Sequence, residues 1–210
     1  MKKLKVFPPL IALSIVFEAL QGIDHLHLHD TIHSDLSSAN VMIAKSGKVL
    51  VTDFGLSCYT DVEDYKKYMV GTPGYYSPEH ISESSIIPES DLYCVGLILY
   101  EMLFGVKAIT STKSRSDILA DMKSIDFSMS CSSNKKLNNK IIELLTKALR
   151  IQAGRRYKSA EAMLFDVYQI LKKCEITSAR SAISLFLFDQ KLSSPIPKEK
   201  HQEIYYGYED

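Results

Sequence analysis

The residues best placed to do chemistry are His33-Ser34-Asp35-Leu36-Ser37-Ser38-Ala39-Asn40 and Asp53-Phe54-Gly55. Asp35 and Asn40 put a carboxylate and an amide carbonyl five residues apart, and Asp53 adds a second carboxylate at the end of a nearby β-prone run. Hard oxygen donors of this kind suit a divalent cation such as magnesium, which takes few protein ligands and completes its shell with water or phosphate oxygen. The same spacing also occurs in ordinary solvated loops, so the chemistry depends on what brings the three residues together. Other candidates are weaker. His25, His27 and His29 sit at alternate positions near a helix end, where side chains diverge around the axis and do not face one ion. His33, next to apolar Ile32, reads as a packed structural histidine. Cys58 has no activating neighbour in sequence. Tyr59, Thr60, Tyr65, Tyr68 and Thr72 have the right hydroxyls for phosphorylation, though residue type alone says little.

The elements that must position these residues follow from periodicity. Pro8 and Pro9 suit a first helical turn, and Ile11, Ile15, Ala19, Ile23 and Leu26 recur near helical spacing. Thr31 and Ile32 look extended, while Val41-Met42-Ile43 and Val49-Leu50-Val51 flank the turn Lys45-Ser46-Gly47 as a small hairpin. Residues from Ser57 to His80 carry Gly71, Pro73, Gly74 and Pro78 and read as a long loop. Ser90 is a cap for a helix from Asp91 to Phe104, apolar nearly all round and ended by Gly105. Leu137, Ile141, Leu144, Leu145 and Ala148 mark another helix, and Met163, Leu164, Val167, Ile170 and Leu171 a third after Ser159. From Thr177 the pattern weakens, and no internal repeat is present.

Composition narrows the class. With 210 residues, 46% hydrophobic and 24% charged, the chain has the usage of a globular domain with something appended, not of a disordered or polytopic membrane protein. Its 25 basic and 25 acidic side chains cancel, so no global field draws it to nucleic acid or anionic lipid. Four scattered cysteines without a Cys-x-x-Cys pair argue against a zinc module and for a reducing compartment. Met1 to Phe17 has the basic-then-apolar layout of a secretory signal, but Glu18, Gln21 and Asp24 follow instead of a small-residue cleavage site. The apolar stretch Val6 to Phe17 is too short to span a bilayer.

Three further stretches give the pattern its specificity. Gly71-Thr72-Pro73-Gly74-Tyr75-Tyr76-Ser77-Pro78-Glu79, Asp91-Leu92-Tyr93-Cys94-Val95-Gly96 and Arg156-Tyr157-Lys158-Ser159-Ala160 follow the first two in order. Together the five stretches resemble the eukaryotic-type protein kinase family, over about Ile11 to Leu171. The resemblance implies a mainly α fold with a small β-hairpin. It is that of a protein-kinase-like C-terminal large lobe lacking the N-terminal lobe, over residues 1–176, with a flexible tail over 177–210. It further implies a serine/threonine kinase that uses ATP and magnesium on a protein substrate. Asp35 matches the base that accepts the substrate hydroxyl proton, and Asn40 and Asp53 match the magnesium ligands. Met42 matches the position beneath the adenine, and Thr72 the residue that aligns the catalytic loop with the acceptor hydroxyl. Asp91 matches the aspartate that holds the catalytic-loop backbone, while His33 and Phe54 match structural positions. Glu79 matches the glutamate that pairs with a late arginine, Arg156 or its neighbour Arg155.

Departures from the family pattern are also legible. Ser34 stands where an arginine usually meets an activation-loop phosphate, and Ser37 where serine/threonine kinases place a lysine near the transferred group. Nothing before Asp35 resembles a glycine-rich loop or a Val-Ala-Ile-Lys strand. The expectation is therefore a truncated gene product or a chain complemented by another that supplies the small lobe, in the cytoplasm, without nucleic-acid or membrane partners. A non-catalytic interaction module built on the same lobe is the alternative. A small-molecule kinase is disfavoured by Gly71 to Glu79, which resembles a peptide platform.

Overall fold

Helix α1 (Pro9–His27) begins where the sequence places it: Pro9 sits at the first helical position, where the amide it lacks would have no intrahelical partner anyway. The computed structural model describes residues 6–53, 58–59, 71–83, 85–111 and 114–192. Along α1, Leu13, Ile15, Val16, Leu20 and Ile23 are buried, and the helix packs against the later helices Pro88–Phe104, Ala160–Lys173 and Ala179–Leu192 and against the hairpin strand Val49–Val51. Its 19 residues, with a mean hydropathy of 1.3, are long and apolar enough to cross a membrane, and half of that window is buried against the rest of the chain. That corrects the shorter span read from Val6 to Phe17, because the helical period carries on through the polar residues Glu18, Gln21 and Asp24.

Two small antiparallel pairs follow. Strand β2 (Val41–Ile43) pairs with β3 (Val49–Val51), with Met42 opposite Leu50. Strand β1 (Thr31–Ile32) pairs with β4 (Cys58–Tyr59). The first is the expected hairpin. The second pair places a strand inside the stretch read as loop; two residues are too short to leave a period in the sequence.

The later residues are helical: α2 (Pro78–Glu83), α3 (Pro88–Phe104), α4 (Arg115–Lys123), α5 (Lys135–Ala148), α6 (Ala160–Lys173) and α7 (Ala179–Leu192). Helix α3 is the centre of the core, buried from Ser90 to Tyr100 and at Met102 and Leu103, as its all-round apolarity requires. It starts three residues before the expected Asp91, with Pro88 in its first turn, and Ser90 accepts from the Ile87 amide from inside the helix. Gly105 ends it in the left-handed conformation, φ 72°, which glycine adopts without a Cβ penalty. Ser159 caps α6 by accepting from the Ala162 amide.

The largest departure from expectation is α7. The residues from Thr177 read as a flexible tail, yet Ala179–Leu192 is a helix whose Ile183 is fully buried. Its ring contact between Phe186 and Phe7, 6.0 Å between centroids, docks it beside the start of α1. Over 179–192 the tail reading gives way to a helix because α7 borrows its partners from α1, 162 positions away in the Arg180–Glu18 pair, and local sequence carries no sign of a distant apolar surface; the remainder of that reading, 193–210, lies outside the described residues. Helix α4 was also not anticipated, since only Ile118 and Met122 among its residues are buried.

Candidate functional site

The loop between β1 and β2 is fastened from below by Asp91 of α3. Its carboxylate accepts from the amides of His33 (2.9 Å) and Ser34 (3.1 Å) and from Nε2 of His27 (2.9 Å). Asp91 is 1% exposed, and three charge-assisted bonds offset the cost of burying it. One of the amides it holds belongs to Ser34, whose φ of 71° is unusual for a residue with a Cβ and is stabilised only where the surroundings impose it.

His33 ties the same loop to the hairpin. Its Nε2 donates to the Thr52 carbonyl (3.0 Å), and its Nδ1 accepts the Asp35 amide (3.4 Å). A carbonyl can only accept, so the proton is on Nε2 and the ring is a fully buried strut. His25 and His29 contact each other, 4.4 Å between ring centroids, while His27 turns to Asp91.

Asp35 is half-buried. Its Oδ1 accepts two bonds from Thr72, one from the amide and one from Oγ1, both 2.8 Å. This joins the catalytic-type loop to the Gly71-to-Glu79 segment across 37 positions of sequence. Asn40 donates Nδ2 to the backbone carbonyl of Asp35 (2.8 Å), which leaves its amide oxygen as the acceptor available to a cation. The Thr52 amide donates to the Asn40 carbonyl (2.9 Å), so Asn40 and Asp53 flank the open end of the hairpin, just before β2 and just after β3. Asp53 is exposed and at φ 67°, a second strained non-glycine position at this edge. Asp35, Asn40 and Asp53 are thus gathered around one edge of the fold. An amide oxygen and a carboxylate form a hard donor set that fits magnesium in company with phosphate oxygens. Phe54 lies outside the described residues.

On the hairpin's outer face Met42 and Leu50 are 53% and 44% exposed, an apolar cross-strand pair open to solvent. Ser37, at the position where serine/threonine kinases have a lysine, is 1% exposed, and its hydroxyl has no hydrogen-bond partner among the described residues.

The segment from Gly71 to Glu79 is anchored from both ends. Arg156 clasps Glu79 with two bonds, Nη1 to Oε1 (2.8 Å) and Nη2 to Oε2 (2.6 Å), and also donates to the carbonyls of Arg150, Ile151 and Glu89. Of the two arginines weighed for this role it is Arg156, 3% exposed, that forms the pair, while Arg155 lies outside the core. Burial by itself would raise the Glu79 carboxyl, but the Arg156 bonds and charge, with help from Ser90, hold it below its ordinary range. Burial pushes His80 down, against the opposing pull of Glu79.

Tyr75, Ser38, Glu101 and Cys94 were missed by sequence reasoning. Tyr75 shares its hydroxyl between Glu101 and Ser38 Oγ (2.7 Å), and the Cys94 thiol donates to the Tyr75 carbonyl (2.9 Å). A signal was present: Glu101 is the lone acid in the apolar run from Leu92 to Phe104, and a buried-face acid needs a partner. Burial raises the Cys94 thiol well above its usual value, making it a packing and hydrogen-bonding group and not a nucleophile. A cavity of about 470 Å³ between α5 and α6 is lined by Leu137, Lys140, Tyr157 and Ile170 among others, and Asp35, Asn40, Asp53, Thr72 and Tyr75 do not line it.

The domain is mostly helical, with one buried helix holding the Asp35–Asn40 loop and Asp53 following the hairpin beside it. Comparison with known proteins names the class. Residues 1–168 match the family described as protein kinase domain, and the chain belongs to the protein kinase family. The probable serine/threonine-protein kinase mkcD of Dictyostelium discoideum is 26% identical over 177 residues, which is 84% of this chain and 27% of that protein. The serine/threonine-protein kinase PknA of Corynebacterium glutamicum is 30% identical over 162 residues, 76% of this chain and 34% of that one. The probable serine/threonine-protein kinase PknB of Lactococcus lactis is 30% identical over 158 residues, 74% and 25% respectively. The chain spans about a quarter to a third of the length of these curated relatives.

Proposed function

We propose that the chain is the large lobe of a cytoplasmic protein serine/threonine kinase and works as part of a longer or complemented polypeptide. It would transfer the γ-phosphoryl group of ATP to a serine or threonine hydroxyl of a protein. The observation that carries the reading is the double hydrogen bond from Thr72 to Asp35 Oδ1. With Oδ1 so occupied, Oδ2 of Asp35 is the atom to accept the acceptor hydroxyl's proton, and Thr72 fixes its direction. Asn40, through its amide oxygen, and Asp53 would hold magnesium, which when bound neutralises phosphate charge. Met42 and Leu50 offer the exposed apolar floor on which an adenine ring would lie. The small lobe, from the same polypeptide or another, would cover that floor.

A second reading, a non-catalytic interaction module, is favoured by Ser37, whose neutral buried hydroxyl cannot supply the cation that family members place near the transferred group. Magnesium-ATP binding separates the two. The kinase reading expects a rise in Tm with nucleotide and magnesium, up to about 2.7 kcal/mol of stabilisation at a hundredfold excess over Kd, and loss of that rise in Asp53→Asn. It also expects phosphate transfer to protein to fall by about 10²–10⁴ in Asp35→Asn. No nucleotide-dependent rise favours the module; transfer unchanged in Asp35→Asn removes the assignment of the base.

A further inference from the structure

Helix α7 reaches the β2–β3 hairpin at the end opposite the site. Three observations meet there. Gly47, at φ 82°, lies so close to the α7 backbone that a Cβ on it would stand 2.7 Å from the Arg180 carbonyl carbon and closer still to its oxygen. Ser184 Oγ donates to the Lys45 carbonyl (3.0 Å). Arg180 Nε donates to Glu18 Oε2 of α1 (2.6 Å), a carboxylate only 7% exposed.

We propose that α7 braces the hairpin, and that Arg180 and Ser184 are positioning residues for Asn40 and Asp53. A two-stranded hairpin is marginal alone and holds its shape only when packed on something else. Here strand β3 lies on α1, and the turn is gripped between α7 and, through Arg180 and Glu18, α1 again. Each strand has three residues, about 10 Å at the usual rise, so a shift at the turn moves the open end nearly undiminished. Groups that orient a reacting phosphate must be placed to about 0.5 Å, and a misplacement of about 1 Å can cost about a hundredfold in rate. The contact leaves no room for side-chain adjustment, because at Gly47 backbone meets backbone. The brace rests on the kinase reading only for its catalytic meaning, since the geometry stands without nucleotide.

The test uses the full 210-residue chain and the double variant Arg180→Ala/Ser184→Ala, with Arg180→Lys as the conservative control. The expected result is amide hydrogen exchange about tenfold faster over Val41–Thr52 with α3 amides unchanged, and a moved NMR resonance for the Asn40 side-chain amide. Magnesium-ATP Kd should rise about three- to tenfold, and Arg180→Lys should stay near the parent in all three readouts. Unchanged hairpin exchange, acceleration equal in the hairpin and α3, or an unmoved Asn40 resonance would each overturn the assignment of Arg180 and Ser184 as positioning residues. If the hairpin loosens and the Asn40 resonance moves while the parent chain itself binds no magnesium-ATP, the brace is supported and the kinase reading falls.

Discussion

At the residue scale, buried charge is tolerated only where geometry repays it. Arg156 and Glu79 form a bidentate pair with side chains 0% and 7% exposed, so removing one partner strands the other. Arg156→Ala is expected to cost about 3–5 kcal/mol in urea unfolding. The pair also sets an acid limit. Because the folded Glu79 carboxyl lies below its ordinary 4.5, its stabilisation is complete above that value and is lost as pH falls through the lowered one. The urea midpoint should therefore drop below about pH 4.5, and the drop should shrink in Glu79→Gln/Arg156→Met. Ser37 is the opposite case: its buried hydroxyl has no partner among the described residues. Ser37→Ala is then expected to be neutral or stabilising, within about 1 kcal/mol, by thermal unfolding. The sequence singled out Asp35, Asn40, Asp53, Thr72 and Asp91 as candidates by type and order, but which atoms meet was invisible, since hydrogen bonds spanning 37 or 58 positions leave no local pattern.

At the element scale, period decides what can be read. Helices α1, α3, α5 and α6 carry long apolar repeats and were legible to within a turn. Helices α4 and α7 were not, for one is nine residues with two buried side chains and the other is defined by what it leans on. Ile183, 0% exposed on α7, tests that docking. Ile183→Ala should cost about 2–5 kcal/mol in urea unfolding if α7 belongs to the core, and close to nothing if the segment is a loose tail. Gly96 marks another tertiary decision. A Cβ there would lie 2.9 Å from Leu149 and 3.0 Å from Ala148, so α3 and the end of α5 approach at the one position without a side chain. Gly96→Ala is expected to lower stability by about 1–3 kcal/mol through overpacking, measured as a shift in urea midpoint.

At the scale of the whole molecule, one contiguous cluster of buried side chains runs from α1 through α3 to α5, α6 and Ile183 of α7. A single core of this kind predicts one cooperative transition, with near- and far-ultraviolet dichroism melting together. The kinase family and its ordered motifs were readable because covalent order preserves the types and spacing that the chemistry needs. Amphipathic period likewise marked the helices that supply most of the core. Folding alone decided that Arg156 and not Arg155 meets Glu79, that Thr72 grips Asp35, and that residues after Thr177 return to clamp a hairpin turn. These are contacts between distant surfaces, and their energies depend on shapes that exist only once the chain has closed on itself.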